Sequence, residues 1–245
     1  MRKQFSHGLQ FEGAYTYSRA FTTTNIYQAF NDPNQPAGYG MTPAYRPHRF
    51  TLNYAYDLPL GKHDGLLGKL VNGWNVAGVT VIQNGSPLTI LDGRGGSIYG
   101  FGAGSVVSST AQYAPGKTKV DIATSGDLRS RLGGATGGTG YFDPAAFGSV
   151  PTIGNGTGFG NSGFGVILGP GQMNFDATLQ KTTRVGGLRE DASLVFRSEF
   201  FNLMNHAQFG NPTGGQLDLS STSFGQITNT SVNPRLVQFA LKYIF

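Results

Sequence analysis

The 245-residue chain has no cysteine. That excludes disulfides, cysteine-ligated zinc and thiol chemistry. It also has no run of about 18 apolar residues, the length a membrane-crossing helix needs. Charged residues make up only 13%, about half the usual share for a soluble domain. Its 18 Lys and Arg never run more than two together, so the net charge of +5 is a scattered surface charge and not a nucleic-acid footprint. His7, His48, His63 and His206 lie far apart and show no metal-ligand spacing. Gly158-Phe-Gly-Asn-Ser-Gly163 matches a dinucleotide fingerprint by letter, but no βαβ unit surrounds it. Asp92-Gly-Arg-Gly95 offers too few oxygens for calcium. No catalytic constellation and no cofactor-binding set emerges, so the expectation is a protein that is not an enzyme. The start, Met1 to His7, is basic but has no apolar segment behind it, so it is not a signal peptide.

What the chain does have is glycine, 38 residues of it, with 18 Phe and 11 Tyr. Gly serves turns and the aromatic residues serve strands, which suits an all-β protein. Alternation supplies the strands. A strand sends successive side chains to opposite faces, and six segments follow that rule: 7–19, 48–60, 74–83, 173–185, 191–204 and 234–245. In the last of these, Val237, Phe239, Leu241, Tyr243 and Phe245 share one wholly apolar face, while Leu236, Gln238, Ala240, Lys242 and Ile244 share the other, which is mixed. In the segment 74–83, Trp74, Val76, Gly78, Thr80 and Ile82 form the expected apolar face, although Val79 and Val81 blur it.

The connections carry more information than any single strand. Long loops are expected over 20–47, 84–172 and 205–233, and short links over 61–73 and 186–190. The 84–172 segment reads as irregular, with short strands near Ser86–Leu91 and a helical turn near Asp127–Leu132. Antiparallel strands put alternate connections at opposite ends of a sheet, so all three long loops fall at one end. That asymmetry is the layout of outer-membrane barrels, with long external loops and short periplasmic turns. Strands of about ten residues at roughly 3.3 Å each, tilted about 45°, climb about 23 Å, close to the height of the apolar band. The expected fold is all-β: an antiparallel outer-membrane barrel segment of about six long meander strands, open or incomplete, in the bacterial outer membrane.

Several motifs, in order, resemble the C-terminal barrel portion of TonB-dependent outer-membrane receptors of the Oar-like, acidobacterial type. They are Phe5-Ser-His-Gly-Leu-Gln-Phe11 with Tyr15-Thr-Tyr-Ser18, His48-Arg-Phe50 with Tyr56-Asp-Leu-Pro-Leu60, and Gly73-Trp74 through Gln83-Asn-Gly-Ser-Pro-Leu-Thr89. Then come Phe196-Arg-Ser-Glu-Phe-Phe-Asn-Leu-Met-Asn-His206 with Phe209-Gly-Asn-Pro212, and Phe224-Gly-Gln-Ile227 before Pro234-Arg235 and Phe245. The resemblance implies a barrel of about twenty-two strands with an N-terminal plug, taking up a bulky ligand with energy delivered by TonB. Six strands cannot close such a barrel and no plug is present. The expectation is therefore a barrel fragment of a longer receptor, not competent for transport alone, meeting TonB only through the missing plug.

Three sets of residues are assigned roles on this reading. Val237, Phe239, Leu241, Tyr243 and Phe245 resemble the signal read by the outer-membrane assembly machinery, which works by strand addition; they would also face the lipid bilayer. Tyr15, Tyr17, Tyr54, Tyr56, Trp74 and Tyr243 fall near strand ends and suit aromatic girdles. Glu12, Asp57, Asp176, Arg197, Glu199 and Lys242 share the inward parity and would line a wet lumen, with Arg197 and Glu199 able to pair with each other or with Asp176. Ordinary cross-strand packing is the competing reading of the aromatics, and a solvated ion-paired face, as against contact with a plug or a passing ligand, is that of the charges. Two other architectures fit the alternation. A self-contained small barrel with a structural or adhesive role needs its first and last strands paired and extra strands hidden in 84–172 and 205–233. A soluble β-sandwich binding module needs a second sheet covering the apolar faces.

Overall fold

A computed structural model of the chain describes residues 2–22, 40–42, 45–61, 63–93, 109–123, 131–132, 140–149, 160–186 and 189–245. Seven long strands form one sheet: β1 Arg2–Ser6, β2 Leu9–Tyr17, β3 His48–Asp57, β4 Trp74–Gln83, β5 Gln172–Arg184, β6 Ser193–Phe201 and β7 Leu236–Ile244. Each pairs antiparallel with the next, so spatial order equals chain order. Among the described residues β1 and β7 are not paired to each other, and the sheet is open. All six expected strands are present, with ends that agree within three residues and the 74–83 strand matching at both ends.

The seventh strand, β1, is a correction. The basic start at Arg2–Ser6 carries no strand in the six-strand expectation, which begins at His7. Its hairpin is encoded by His7-Gly8, whose φ angles of 53° and 78° are the two positive values a tight primed turn requires. The expected strand start at His7 is that turn. A second correction lies in the 61–73 link, which holds a helix, α1 Gly65–Val71.

The three long connections leave the sheet at one end and the short ones, β1–β2, β3–β4 and β5–β6, at the other. The long segments are not irregular throughout. Parts of 84–172 and 205–233 fold together into a cap built on two-residue ladders. Pro87–Leu88 pairs with Ile167–Leu168, Leu91–Asp92 with Ser109–Thr110, and Gln112–Tyr113 with Phe147–Gly148. The strands expected near Ser86–Leu91 are therefore present. Of the helical turn expected over 127–132, only 131–132 are described, and both are helical. The expected loop 20–47 is described only at its ends, where Phe21–Thr22 pairs with Gly40–Met41.

The core sits in this cap. Leu88, Ile90, Ala111, Ile122, Tyr141 and Phe142 form one buried cluster, with Tyr113, Phe147, Leu217, Leu219 and Phe224 packed against it. Phe142 lies 5.5 Å from Phe224 between ring centroids. Tyr141 donates its hydroxyl to Leu168 O, and Arg131 stacks over its ring at 4.9 Å. Burial pushes the Tyr141 phenol up, against the opposing pull of Arg131. The sheet carries no comparable core. Among the described residues the cap ladders belong to separate small sheets, β1 and β7 are not paired to each other, and no second sheet covers the apolar face.

Candidate functional site

Strand register sorts the side chains into two faces. Glu12, Asn53, Val79 and Asp176 form one row across β2 to β5. Gln10, Ala55, Ala77, Thr178, Glu199 and Gln238 form the next. Asp57, Asn75, Gln180, Arg197 and Ala240 form the third, and Thr182, Val195 and Lys242 follow. Glu12, Asp57, Asp176, Arg197, Glu199 and Lys242 therefore all lie on one face. A hollow of about 440 Å³ occupies that face, lined from Gln10 and Glu12 on β2 to Glu199 and Phe201 on β6, so the face is concave.

The charges on it are held locally. Arg197 Nη2 lies 2.6 Å from Glu199 Oε1, two residues along the same strand. Arg197 is half exposed, and an ion pair in that setting contributes only about 0–1 kcal/mol. Asp176 is not drawn into that pair. Its Oδ1 accepts from Asn174 Nδ2 at 3.0 Å and from the Asn202 backbone N–H at 2.8 Å. Asp57 Oδ1 accepts from Asn75 Nδ2 at 2.7 Å. Val79, Phe201, Leu236 and Ile244 share this face and leave it mixed in character.

A second hollow, about 550 Å³, opens at the long-loop end between Thr16, Ser18, Tyr45, Arg46, Arg49 and Thr51. Arg46 Nη1 donates to Asn84 O at 2.7 Å. Burial and then the charge of Arg49 lower the Arg46 pKa. Two adjacent guanidinium groups with hydroxyls around them favour an anion. Spacing did not flag this pair, because Arg46 precedes β3 while Arg49 lies within it.

The opposite face is mostly apolar and, away from α1 at its short-turn end, uncovered by any described element. Phe11, Tyr54, Gly78, Ala177, Phe200 and Val237 make one row. Lys181, Phe196 and Leu241 make another. Phe239 and Leu241 are each 67% exposed and Phe245 is 68%. Phe239 stacks on Phe196 at 6.2 Å. Val237, Phe239, Leu241, Tyr243 and Phe245 thus continue one apolar surface to the chain's last residue. Six aromatics were expected near strand ends. Tyr15 and Tyr17 lie at the long-loop end around His48, and Tyr15 OH is 2.6 Å from His48 Nδ1. Tyr56, Trp74 and Tyr243 lie toward the short-turn end. Tyr54 is placed further in, and its ring covers Gly78, where a Cβ would collide with it and with Asp176 O.

The Phe-Phe-Asn-Leu-Met-Asn-His run proves to be a clamp at the outer rim. Asn202 is 3% exposed. Its Nδ2 donates to His206 O and Asn233 O, each at 3.1 Å, and its Oδ1 accepts from His206 N–H at 3.1 Å. Gln208, 2% exposed, continues the ladder beyond β6: its Oε1 accepts from Met173 N–H at 2.7 Å and its Nε2 donates to Met173 O at 2.6 Å. Gln208→Ala is expected to lower the unfolding free energy by about 1–3 kcal/mol, because two hydrogen bonds from a buried side chain to the main chain of Met173 are lost. Denaturant unfolding in detergent micelles measures it.

Among the described residues no group of His, Asp and Glu is arranged to hold a metal ion. A family model described as an outer membrane beta barrel domain matches residues 1–238 of the chain. No curated protein and no solved structure matches the chain.

Proposed function

The chain belongs to the outer membrane beta barrel domain family and resides in the bacterial outer membrane, and on that premise we propose that its sheet is a sector of the wall of a TonB-dependent receptor for a bulky ligand. The observation that carries this reading is the open seven-stranded meander with a concave polar face, a mostly apolar opposite face and a folded cap at one end. Among the described residues the seven strands leave two edges unpaired, with main-chain groups that a bilayer does not tolerate. Further strands from the same protein would close the wall. The apolar face then meets lipid, the concave face borders the lumen, and the cap stands outside the cell. Tyr15 and Tyr17 mark the outer interface, and Trp74 and Tyr243 the periplasmic one. The aromatic face of β7 serves the assembly machinery as a strand to be added. The reading assigns no catalysis to the chain and takes TonB contact to occur through a plug. The ordered motifs from Phe5 to Phe245 support the receptor over other large barrels.

Two measurements test it. A cysteine at Val120, exposed in the cap, is expected to react with a membrane-impermeant maleimide on intact cells. The detergent-solubilised full-length protein is expected to bind the purified periplasmic domain of TonB. A labelled cap with no TonB binding would overturn the receptor while leaving the barrel; an unlabelled cap would overturn the orientation.

A further inference from the structure

The β3–β4 link carries an unusual surface. α1 has Leu66, Leu67 and Leu70 exposed at 82%, 56% and 70%. At 3.6 residues per turn these three span an arc of about 100°. No described element packs on that arc. Gly68, on the other side of the helix, is buried against His63 O, with no room for a Cβ. The helix therefore turns its bulk away from the protein by construction.

Its attachment fixes which side of the sheet it occupies. Thr183 Oγ1 donates to Lys69 O at 3.3 Å, Trp74 Nε1 donates to Leu70 O at 3.0 Å, and Lys181 Nζ donates to Asn72 O. Trp74, Lys181 and Thr183 all share the apolar parity of their strands. Three carbonyls at the end of α1, which the helix itself leaves unpaired, are thus satisfied by side chains from the sheet's outer face. The link is also stapled at its base: Asn72 Nδ2 donates to His63 O at 2.8 Å and Asn72 Oδ1 accepts from His63 N–H at 3.3 Å. Lys181 stands 5.6 Å over the Trp74 ring. A tryptophan and a lysine together at the end of a mostly apolar face mark the level where hydrocarbon gives way to headgroups.

We propose that α1 is an interfacial anchor whose Leu66, Leu67 and Leu70 insert into the acyl–headgroup boundary of the membrane leaflet at the short-turn end. The occupant is phospholipid, because the helix that carries the exposed leucines is tied through its carbonyls to Trp74, Lys181 and Thr183 on the apolar face, at the short-turn end of the sheet. Such a helix lies in the interface plane without spanning it. It holds that end of the wall at a fixed height in the bilayer. The inference rests on the apolar face meeting lipid.

The chain has no cysteine, so single nitroxide labels can be placed at will. Leu66→Cys, Leu70→Cys, Phe239→Cys and Val120→Cys variants of the full chain, in phosphatidylethanolamine–phosphatidylglycerol vesicles, are compared by collision with oxygen and with a nickel chelate. Labels at 66 and 70 are expected to favour oxygen over nickel relative to Val120, at a depth of about 5–10 Å, and to lie shallower than the label at 239. If 66 and 70 behave like Val120 while 239 favours oxygen, the anchor is wrong and the lipid-facing wall stands. If 239 also behaves like Val120, the wall reading fails and the anchor with it.

Discussion

Phe239→Lys is expected to reduce folded protein in the outer membrane sharply, while Gln238→Lys one position away is expected to leave it unchanged. Phe239 lies mid-strand in β7, 67% exposed on the apolar face. A lysine on the lipid face near the bilayer midplane costs about 2–4 kcal/mol. That is a large part of the stability of a typical domain. The change also removes the stack on Phe196 at 6.2 Å, worth about 0.5–1.5 kcal/mol beyond area burial. Gln238 points to the concave face directly opposite Glu199, where a cation meets water and a carboxylate. The contrast between neighbours isolates facing from strand propensity, since both variants carry the same residue. Quantifying heat-modifiable folded protein in outer-membrane fractions reads both. Equal loss in the two variants would mean that β7 does not separate lipid from water.

The second large effect is expected at Asn202. Its backbone has φ of 50°, a left-handed conformation that Asn tolerates better than other side-chain residues. Alanine there would lose the bonds to His206 and Asn233 and pay the conformational cost as well. The expected loss of unfolding free energy is about 3 kcal/mol. Asn202→Gly removes the φ penalty but not the lost bonds, so it should recover only part of that loss. Asn202 and Asn205 tie the start of the last long loop to its end: Asn205 Oδ1 accepts from Arg235 N–H at 3.1 Å, and Asn205 also has positive φ, 49°. That loop supplies Phe224 to the cap core and Gly225 O to Tyr141 N–H at 2.7 Å. Hydrogen exchange should therefore quicken in 205–235 and around Tyr141 in the Asn202→Ala protein. Exchange confined to 202–206 would show that the clamp is local.

The fold is most legible in the sequence where one physical rule governs many residues. Period-two alternation located β2 to β7 and both faces of the sheet, and register put all six proposed lumen charges on the concave side. Loop length located the cap end. β1 was passed over because Arg2–Ser6 is short and mostly polar, and its evidence lies in the His7-Gly8 turn, not in its own pattern. α1 was passed over because Gly65-Leu-Leu-Gly-Lys-Leu-Val71 contains two glycines, which weaken helix propensity; the sheet's side chains supply what the local sequence lacks. The cap was read as irregular because its ladders are two residues long, below any periodicity, and its core joins segments more than a hundred residues apart, such as Leu88 and Phe224. The functional polar residues were hardest to see. Gln208 and Asn202 act on main-chain groups, and nothing in spacing announces that.

The central claim is that this sheet has a lipid side and a water side along each strand, and β7 tests it most directly. Single cysteines at 237 through 243 of the full-length protein in phospholipid vesicles would be exposed to a membrane-impermeant maleimide. The expected result is period-two reactivity: positions 238, 240 and 242 react, and 237, 239, 241 and 243 are protected. Uniform reactivity along the strand, or reaction at the odd positions with protection at the even ones, would contradict a membrane wall with the polar face turned to the lumen.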